Sequence, residues 1–286
     1  MTLIDKVSEL REWRRQSGDV YFVPTMGALH EGHAALIREA RLQAGKKGRV
    51  AVSIFVNPLQ FGPNEDFSRY PRTLEADLET CREAGADMVF APSASEVYFE
   101  DRSIVVGENS LSRVLCGASR PGHFDGVCTV VAKLFNLVQP DVAVFGKKDY
   151  QQLAIIRRMI RDLDFPVEIH ALETVRESDG LAMSSRNRYL SPDERAQAAG
   201  LRAAIHLGRE AWVAGFIQSQ EIESKVRTEI TRLCPLGRVD YISVVDSNTL
   251  ASLAEIKNEG LIALAVFFGK TRLIDNIELH RDGFDR

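Results

Sequence analysis

The strongest constraint on the fold is an alternation of short apolar runs with helical patterns over about the first 170 residues of a 286-residue chain. The apolar runs predict strands at residues 20–23, 50–56, 88–91, 142–145 and 167–171. The helical patterns between them cover residues 31–44, 74–84, 126–138 and 150–163. Because the runs are continuously apolar, we expect helices to cover both faces of these strands. The alternation predicts a parallel α/β sheet, which binds ligands at the carboxyl ends of its strands.

The pattern changes near Thr174, where a polar and irregular stretch begins. Two helical stretches follow at residues 192–214 and 220–234, and then strands are predicted at residues 240–246, 261–267 and 271–279. Gly269 and Lys270 separate the last two strands, which is typical of a hairpin. We therefore predict two domains, a parallel α/β domain over residues 1–175 and a smaller α+β domain over residues 176–286.

Composition narrows the functional classes. Hydrophobic residues make up 45% and charged residues 27% of the chain, and the formal net charge is −4. These values are typical of a soluble globular protein and disfavour a general nucleic-acid or membrane-surface binder. The N-terminus has no signal-peptide core, the longest apolar run is too short to span a bilayer, and the four cysteines lack metal-binding spacing. We expect a cytoplasmic protein with no nucleic-acid or membrane partner.

The first chemically informative segment, residues 24–33 (PTMGALHEGH), follows a predicted strand and opens a helix. Gly27 and Gly32 allow a ligand to approach the backbone, and a helix N-terminus suits phosphate through its N–H groups and dipole. His30 and His33 lie three residues apart, so they project from one helical face and can donate hydrogen bonds to developing phosphate charge. A zinc pair is disfavoured because zincins space their histidines four apart. A purely structural role for both histidines is the alternative.

Two further segments carry polar groups that suit a small ligand. Asn57 and Gln60 in residues 55–62 (FVNPLQFG) are neutral amides beside apolar neighbours, which can orient a hydroxylated molecule. Arg120 in residues 120–127 (RPGHFDGV) lies on a Pro- and Gly-containing loop and can clamp a carboxylate or phosphate. Taken singly, the first segment is better explained as a turn with a proline, and the arginine is equally an exposed side chain without such a role.

Two more segments suit phosphate. Residues 145–152 (FGKKDYQQ) place lysines on a glycine turn between a strand and a helix, where lysine can hold a phosphate as a point charge. Residues 183–188 (MSSRNR) offer two hydroxyls and an arginine in the irregular stretch. A solvated loop and a polar linker are the respective alternatives when each segment is taken alone.

The order and joint presence of these segments are more specific than any one of them. PTMGALHEGH, FVNPLQFG, YPRT, RPGHFDGV, VFGKKDYQQL and GLAMSSRNRYLS together closely resemble the pantothenate synthetase family, the pantoate–β-alanine ligases. The resemblance is strong over residues 20–192 and looser beyond them. The family belongs to a nucleotidyltransferase group that resembles class I aminoacyl-tRNA synthetases. HEGH stands where those enzymes have HIGH, and MSSRN stands where they have KMSKS.

The resemblance implies a Rossmann-like domain that binds ATP and pantoate, a C-terminal lid domain that closes, dependence on Mg²⁺ and a homodimer. It also implies roles for individual residues. The catalytic residues would be His30, His33 and Lys148. The ATP site would comprise Met26, Gly27, Ala28, Leu29, His30, Glu31, Gly32, His33, Gly146, Lys147, Lys148, Asp149, Val175, Met183, Ser184, Ser185 and Arg186. The substrate pantoate would contact Gln60 and Gln152, with Asn57 and Arg120 nearby, and Asp77 is a candidate magnesium ligand. Lys147 departs from the family pattern, where glutamate is expected more often.

The implied reaction has two halves. Pantoate attacks the α-phosphorus of ATP and releases pyrophosphate, and the amine of β-alanine then attacks the adenylate and releases AMP. Two other classes stay open at this point. Another HxGH-type nucleotidyltransferase would leave the nucleotidyl group in its product, and a non-catalytic module would bind ATP without turnover.

Overall fold

The computed structural model describes residues 1–63, 65 and 67–281. The chain divides into two compact units. The first unit comprises Met1–Ser112, Gly117–Lys147 and Gln152–Glu173. The second comprises Arg113–Cys116, Lys148–Gln151 and the chain from Thr174 onward. Each unit has its own sheet.

The first unit contains a six-stranded sheet in which every neighbouring pair is parallel. Its strands are β1 (Thr2–Ile4), β2 (Val20–Thr25), β3 (Arg49–Ile54), β4 (Met88–Phe90), β5 (Val142–Gly146) and β6 (Glu168–Leu172). The helices up to β6 are α1 (Val7–Arg15), α2 (Glu31–Ala44), α3 (Leu74–Glu83), α4 (Ala94–Val97), α5 (Leu115–Ser119), α6 (His123–Val138) and α7 (Tyr150–Asp162). The strand order is β1-β4-β3-β2-β5-β6.

This strand order positions the ligand region. From β2 the chain adds β3 and β4 on one side, while β5 and β6 lie on the other side of β2. The order therefore reverses between β2 and β5, and in open α/β sheets ligands bind in the crevice at such a point. The core beneath it holds buried Val23 of β2, Val52 of β3 and Val144 of β5 against Ile37 of α2. Full burial of one such side chain contributes about 1.5–3 kcal/mol.

The second unit is built on a three-stranded antiparallel sheet in the order β7-β8-β9. Its strands are β7 (Gly237–Val245), β8 (Glu259–Phe268) and β9 (Thr271–His280), and its helices are α8 (Pro192–Ala198), α9 (Gly200–Val213) and α10 (Ser219–Leu233). Gly269 in the β8–β9 turn has φ +54°, a left-handed conformation that glycine adopts without strain. Buried Leu201, Ile222, Val226 and Ile262 belong to one core cluster that joins α9 and α10 to the sheet.

The predicted strands and helices are all present, with ends shifted by up to three residues. The helical stretch predicted at residues 192–214 is divided at Ala199 into α8 and α9. Strand β1 and the helices α1, α4 and α5 were not predicted from the sequence. Strand β1 has three residues of which only Ile4 is buried, so no periodicity marks it. Within the described residues, no helix is long and apolar enough to cross a membrane.

Candidate functional site

The loop after β2 is held by a carboxylate from a distant part of the chain. Gly27 and Ala28 have φ values of +79° and +51°, so the backbone makes a left-handed turn here. Asp77 of α3 accepts the N–H of Ala28 at 3.0 Å and the N–H of Leu29 at 2.8 Å, and Thr73 donates its hydroxyl to the same carboxylate at 3.2 Å. Asp77 is buried. A buried charge is tolerated when hydrogen bonds satisfy it, so this carboxylate fixes the loop geometry.

Glycine is required at position 27 for a second reason. A Cβ atom built there would lie 2.9 Å from an Asp77 carboxylate oxygen and 3.0 Å from the Ile54 side chain. The close approach of the turn to Asp77 therefore depends on the absence of a side chain as well as on the positive φ.

His30 and His33 cap the start of α2. The Nδ1 atom of His30 accepts the N–H of Gly32 at 3.1 Å, and the Nδ1 atom of His33 accepts the N–H of His30 at 3.3 Å. The two rings are 4.1 Å apart and tilted by 45°. Because both Nδ1 atoms accept hydrogen bonds, each neutral imidazole carries its proton on Nε2. This tautomer makes each Nε2 an N–H donor, the type of group that can stabilise phosphate charge.

The backbone donors around the start of α2 are partly engaged by the protein. Gly32 donates to the His30 ring, and Ala28 and Leu29 in the preceding loop donate to Asp77. Phosphate binding at this helix start stays a prediction.

The turn after β3 is fixed by neutral amides. Asn57 is buried, and its Nδ2 donates to the backbone carbonyl of Gly126 at 3.0 Å and to Oε1 of Gln60 at 3.1 Å. Its Oδ1 accepts the N–H of Leu59 at 3.3 Å and the hydroxyl of Tyr98 at 2.9 Å. Every polar atom of the Asn57 side chain is therefore used inside the protein, which gives this residue a supporting role.

Gln60 connects the two loops. Its Nε2 lies 3.0 Å from Sδ of Met26, which belongs to the loop after β2. A thioether is a weak acceptor, so this contact leaves the amide donors with capacity for a stronger one. The predicted ATP segment and the predicted pantoate segment thus meet at these two side chains, at the carboxyl ends of neighbouring strands.

Arg120 is engaged by protein groups. Its Nε and Nη2 donate to the two carboxylate oxygens of Glu65, both at 2.6 Å, and its Nη1 lies 3.0 Å from Nε2 of His123. The backbone carbonyl of Gln60 accepts from Nδ1 of His123 at 2.8 Å. Burial by itself would raise the pKa of Glu65, but hydrogen bonds and the charge of Arg120 hold it below its ordinary value. Direct contact of Arg120 with a substrate stays a prediction, and the structure shows it supporting the Gln60 backbone.

The other predicted residues of the first unit lie near the carboxyl end of β5 or on exposed surface. Gly146 ends β5, and Lys147 follows it in an ion pair with Glu173. Gln152 is half-buried in the first turn of α7, which follows β5 directly. Glu31 is exposed and pairs with Arg38 on α2.

The remaining candidates belong to the second unit. The N–H of Met183 donates to the carbonyl of Val175 at 3.0 Å, and Ser184 caps the 3₁₀ turn Ser185–Tyr189 by accepting the N–H of Arg186. The backbone carbonyl of half-buried Lys148 accepts from the Asn276 amide at 2.9 Å, while Asp149 is exposed.

A buried ion pair supports the stretch that carries Val175 and Met183. Arg176 donates to both carboxylate oxygens of buried Asp275 at 2.8 Å. The fork geometry matches a carboxylate and fixes the orientation of the arginine. Ser184, Ser185 and Arg186 therefore lie on a short segment tied to β9 of the same unit.

The described residues contain no group of three or more His, Cys, Asp or Glu side chains arranged to hold a metal ion. Asp77, the predicted magnesium ligand, already accepts hydrogen bonds at both of its carboxylate oxygens. These contacts make Asp77 an anchor of the loop after β2. A metal role for Asp77 stays an untested prediction.

The sequence analysis did not identify Tyr98, Glu65 or His123 as part of this region. Tyr98 lies in an ordinary stretch after α4, and nothing in its neighbours marks it. His123 stands inside the segment RPGHFDGV, so its presence in that loop was the available signal. Glu65 carries no motif signal, and only its contact with Arg120 reveals it.

The fold and the site define a class: an α/β protein whose ligand region lies at the switch point of a parallel sheet, with paired imidazole donors beside oriented amides. A model of the family described as pantoate-beta-alanine ligase matches residues 2–278. The chain belongs to that family.

Individual proteins that are similar to this chain are pantothenate synthetases. A pantothenate synthetase of Akkermansia muciniphila is 54% identical over 94% of this chain and 95% of its own length, and one of Moorella thermoacetica is 52% identical over 98% and 99%. A pantothenate synthetase crystal structure from Thermus thermophilus has a TM-score of 0.92 at 47% identity, covering 98% of this chain and all of that one.

A second solved structure carries ligands. It is a pantoate-beta-alanine ligase from Francisella tularensis complexed with beta-gamma ATP and beta-alanine, with a TM-score of 0.78 and 32% identity, covering 97% of each chain. The predicted family and the fold class, a Rossmann-like parallel sheet with a smaller C-terminal α+β part, are confirmed. The enzyme class, a carbon–nitrogen ligase, is confirmed with the family.

Proposed function

We propose that this ligase joins pantoate to β-alanine with ATP, through a pantoyl-adenylate. The observation that carries the proposal is the 3.0 Å contact between Gln60 Nε2 and Met26 Sδ. It brings an amide suited to a hydroxy acid next to the loop that carries the two histidines. Family membership over residues 2–278 supports the same reaction.

In the first half-reaction, a pantoate carboxylate oxygen bonds to the α-phosphorus of ATP, and the bond to the pyrophosphate oxygen breaks. The reacting groups are mostly anionic, so catalysis consists of positioning and charge stabilisation. We assign the Nε2–H groups of His30 and His33 to oxygen atoms on which negative charge develops. Lys148 serves as a point charge on the phosphates.

The remaining ATP contacts are assigned from the sequence motifs. They comprise Met26, Gly27, Ala28, Leu29, Glu31, Gly32, Gly146, Lys147, Asp149, Val175, Met183, Ser184, Ser185 and Arg186. Gln60 and Gln152 bind pantoate. Asn57 and Arg120 hold Gln60 in position through their contacts within the protein.

In the second half-reaction, the β-alanine amine attacks the carbonyl carbon of the adenylate. The carbon–oxygen bond to AMP breaks, AMP leaves with the bonding electrons, and the amine loses a proton. Water would hydrolyse the same mixed anhydride, so exclusion of water from the site is part of the chemistry. We propose that residues 176–286 provide a lid for this purpose. Dependence on Mg²⁺ stays a prediction, in which the ion would neutralise charge on the triphosphate. A cytoplasmic location also stays a prediction.

We further propose that the chain forms a homodimer through residues 99–105. Phe99, Ile104 and Val105 are exposed by 73%, 81% and 65%, and Ile104 and Val105 lie in a segment without helix or strand. Three exposed large apolar side chains within one short segment make it a candidate interaction surface, and most soluble oligomers are symmetric dimers of identical chains. Sedimentation analysis should give a dimer for the wild type and a monomer for Ile104→Lys. Leu42→Lys, at an exposed position on α2, is the control.

The activity has a direct test. The protein is incubated with ATP, pantoate and β-alanine, each is omitted in turn, and products are identified by mass. Pantothenate should form only in the complete mixture, together with AMP and pyrophosphate. Pantoate-dependent exchange of pyrophosphate into ATP without β-alanine should reveal the adenylate. Exchange that strictly requires β-alanine would count against that intermediate.

A further inference from the structure

The orientation of the Asn57 amide is determined by two backbone groups. A backbone carbonyl only accepts, so the atom 3.0 Å from the Gly126 oxygen must be the Asn57 nitrogen. A backbone N–H only donates, so the atom 3.3 Å from the Leu59 nitrogen must be the Asn57 oxygen. Reversal of the amide would create two repulsive contacts, and one orientation therefore results.

The orientation of the Asn57 amide determines the orientation of the Gln60 amide. Because the Asn57 nitrogen is a donor, the Gln60 atom 3.1 Å away must be the carbonyl oxygen Oε1. The Gln60 nitrogen then points to the other side, where it meets the Met26 sulfur. Gln60 thus presents N–H donors, and not its carbonyl oxygen, towards the loop after β2.

Tyr98 stands at the other end of this chain of bonds. The Asn57 oxygen accepts a hydrogen bond, so the Tyr98 hydroxyl 2.9 Å away must donate. The ring is buried and packs 6.0 Å from the Phe55 ring, which holds the hydroxyl in place. Burial raises the pKa of Tyr98, with Arg102 acting weakly in the opposite sense, so the hydroxyl keeps its proton.

We propose that Tyr98 is a positioning residue that reinforces, through Asn57, the orientation in which the Gln60 amide presents its N–H donors to the substrate. The Tyr98 hydroxyl donates to Asn57, and Asn57 in turn donates to Gln60, so the two hydrogen bonds run in the same direction. Hydrogen bonds in such a chain strengthen one another. The proposal rests on the assignment of pantoate to the Gln60 site. It adds that this part of the site recognises an oxygen acceptor, a carboxylate or the lone pair of a hydroxyl.

The test is a double-mutant cycle on the KM for pantoate, with Tyr98→Phe and Gln60→Ala alone and combined. Tyr98→Phe should raise the pantoate KM about 5- to 10-fold, in the range expected for one hydrogen bond, while the ATP KM changes less than about 2-fold. With Gln60→Ala already present, Tyr98→Phe should raise the pantoate KM by less than about 2-fold more. Residues that act through one another are non-additive, so a merely structural role for Tyr98 would give the same factor in both backgrounds.

Tyr21→Phe is the matched control, because Tyr21 is a partly buried tyrosine at the opposite end of the sheet, near the start of β2. It should leave both KM values unchanged. Equal effects of Tyr98→Phe in the two backgrounds, or no effect in the wild type, overturn the proposal.

A second measurement does not depend on the substrate. The side-chain amide resonances of Asn57 and Gln60, assigned by substitution, should both shift in ligand-free Tyr98→Phe and stay in place in Tyr21→Phe. If only the Asn57 resonance moves, the amide of Gln60 is not under the control of Tyr98, and the proposal fails. If both resonances shift but no pantothenate forms, the proposed activity is wrong and the hydrogen-bond chain stands.

Discussion

The loops after β2 and β3 leave neighbouring strands of one sheet, yet they are fixed in different ways. The loop after β2 depends on the charge of Asp77, which is 48 and 49 residues away from the N–H groups it binds. The turn after β3 depends on neutral amides, which begin with Asn57 within the turn itself.

The charged anchor of one loop and the neutral amides of the other match the different roles proposed for the two loops. A carboxylate that binds two backbone N–H groups fixes a backbone path strongly, since charged hydrogen bonds are about twice as strong as neutral ones. It also removes those donors from a ligand, so that the imidazoles remain to interact with phosphate. The hydrogen bonds of an amide network instead run in one direction, which determines whether a donor or an acceptor faces the substrate. The first arrangement serves charge stabilisation, and the second serves discrimination.

The largest effect should follow from removing an imidazole of the first loop. His33→Ala should lower turnover about 10²-fold or more, the scale for loss of one preorganised charge-stabilising donor. The unfolding free energy should fall by only about 1 kcal/mol, because the ring also caps α2. Steady-state kinetics and urea unfolding measure the two effects. His170→Ala, on β6, is the control, and near-normal turnover of His33→Ala would remove that residue from the mechanism.

The second-largest effect should follow from replacing Asp77, which anchors the loop after β2. Asp77→Asn keeps the shape but turns an amide NH₂ towards backbone donors, so stability should fall by about 2 kcal/mol. The ATP KM should rise about 10-fold, in keeping with a misplaced loop. Titration with magnesium separates the two interpretations of Asp77, since excess metal should not restore the anchor. Restoration by magnesium would show that Asp77 is a metal ligand, and Glu79→Gln, on the exposed side of α3, is the control.

Most of the fold was predictable because it rests on local signals. Buried strands such as β3 and β8 are continuous apolar runs, and α2 begins and ends where its sequence pattern does. The short edge strand β1 was not predictable, because its pairing with β4 is decided by tertiary contact. The break at Ala199 is directly followed by Gly200, a signal that was not used in the prediction of one continuous helical stretch.

The site was predictable only where motifs mark it. The segments that hold His33 and Gln60 follow strands directly, so sequence order places them at one edge of the sheet. The contacts of Asp77, Glu65 and Tyr98 join residues 41 to 55 positions apart, and no periodicity encodes such pairings. The sequence therefore located the loops, while the structure was needed to show which side chains support them.

Loss of the Glu65–Arg120 pair, which supports the turn after β3, should have a smaller effect that depends on pH. The pKa of Glu65 is depressed, so its pairing with Arg120 stabilises the fold above its ordinary value of 4.5 and is lost as pH falls through the folded-state pKa. Glu65→Gln should thus cost stability at pH 7, by about 1 kcal/mol or less for a partly exposed pair. The gap to the wild type should close below about pH 4.5. Urea unfolding at about pH 7 and about pH 3.5 measures this, with Glu75→Gln as the control, and a gap that widens in acid would contradict it.

The smallest effect should be seen with thiol reagents, which report how tightly the helices next to the two loops are packed. Cys81 on α3 follows Asp77 by one helical turn, and Cys128 on α6 follows Gly126, which contacts the second turn. Burial raises the pKa of both thiols to about 12, with a further contribution from Asp77 at Cys81 and from Asp125 and Glu108 at Cys128.

At pH 8 only about 10⁻⁴ of either thiol is the reactive thiolate. Iodoacetamide should therefore leave activity unchanged and label neither peptide by mass spectrometry, whereas both should be labelled in concentrated urea. In Asp77→Asn, labelling of Cys81 should increase by more than labelling of Cys128, because only the first loop has lost its anchor. Equal acceleration at both thiols would show that the two loops open together, and the distinction between a charge-anchored loop and an amide-anchored turn would then not extend to their dynamics.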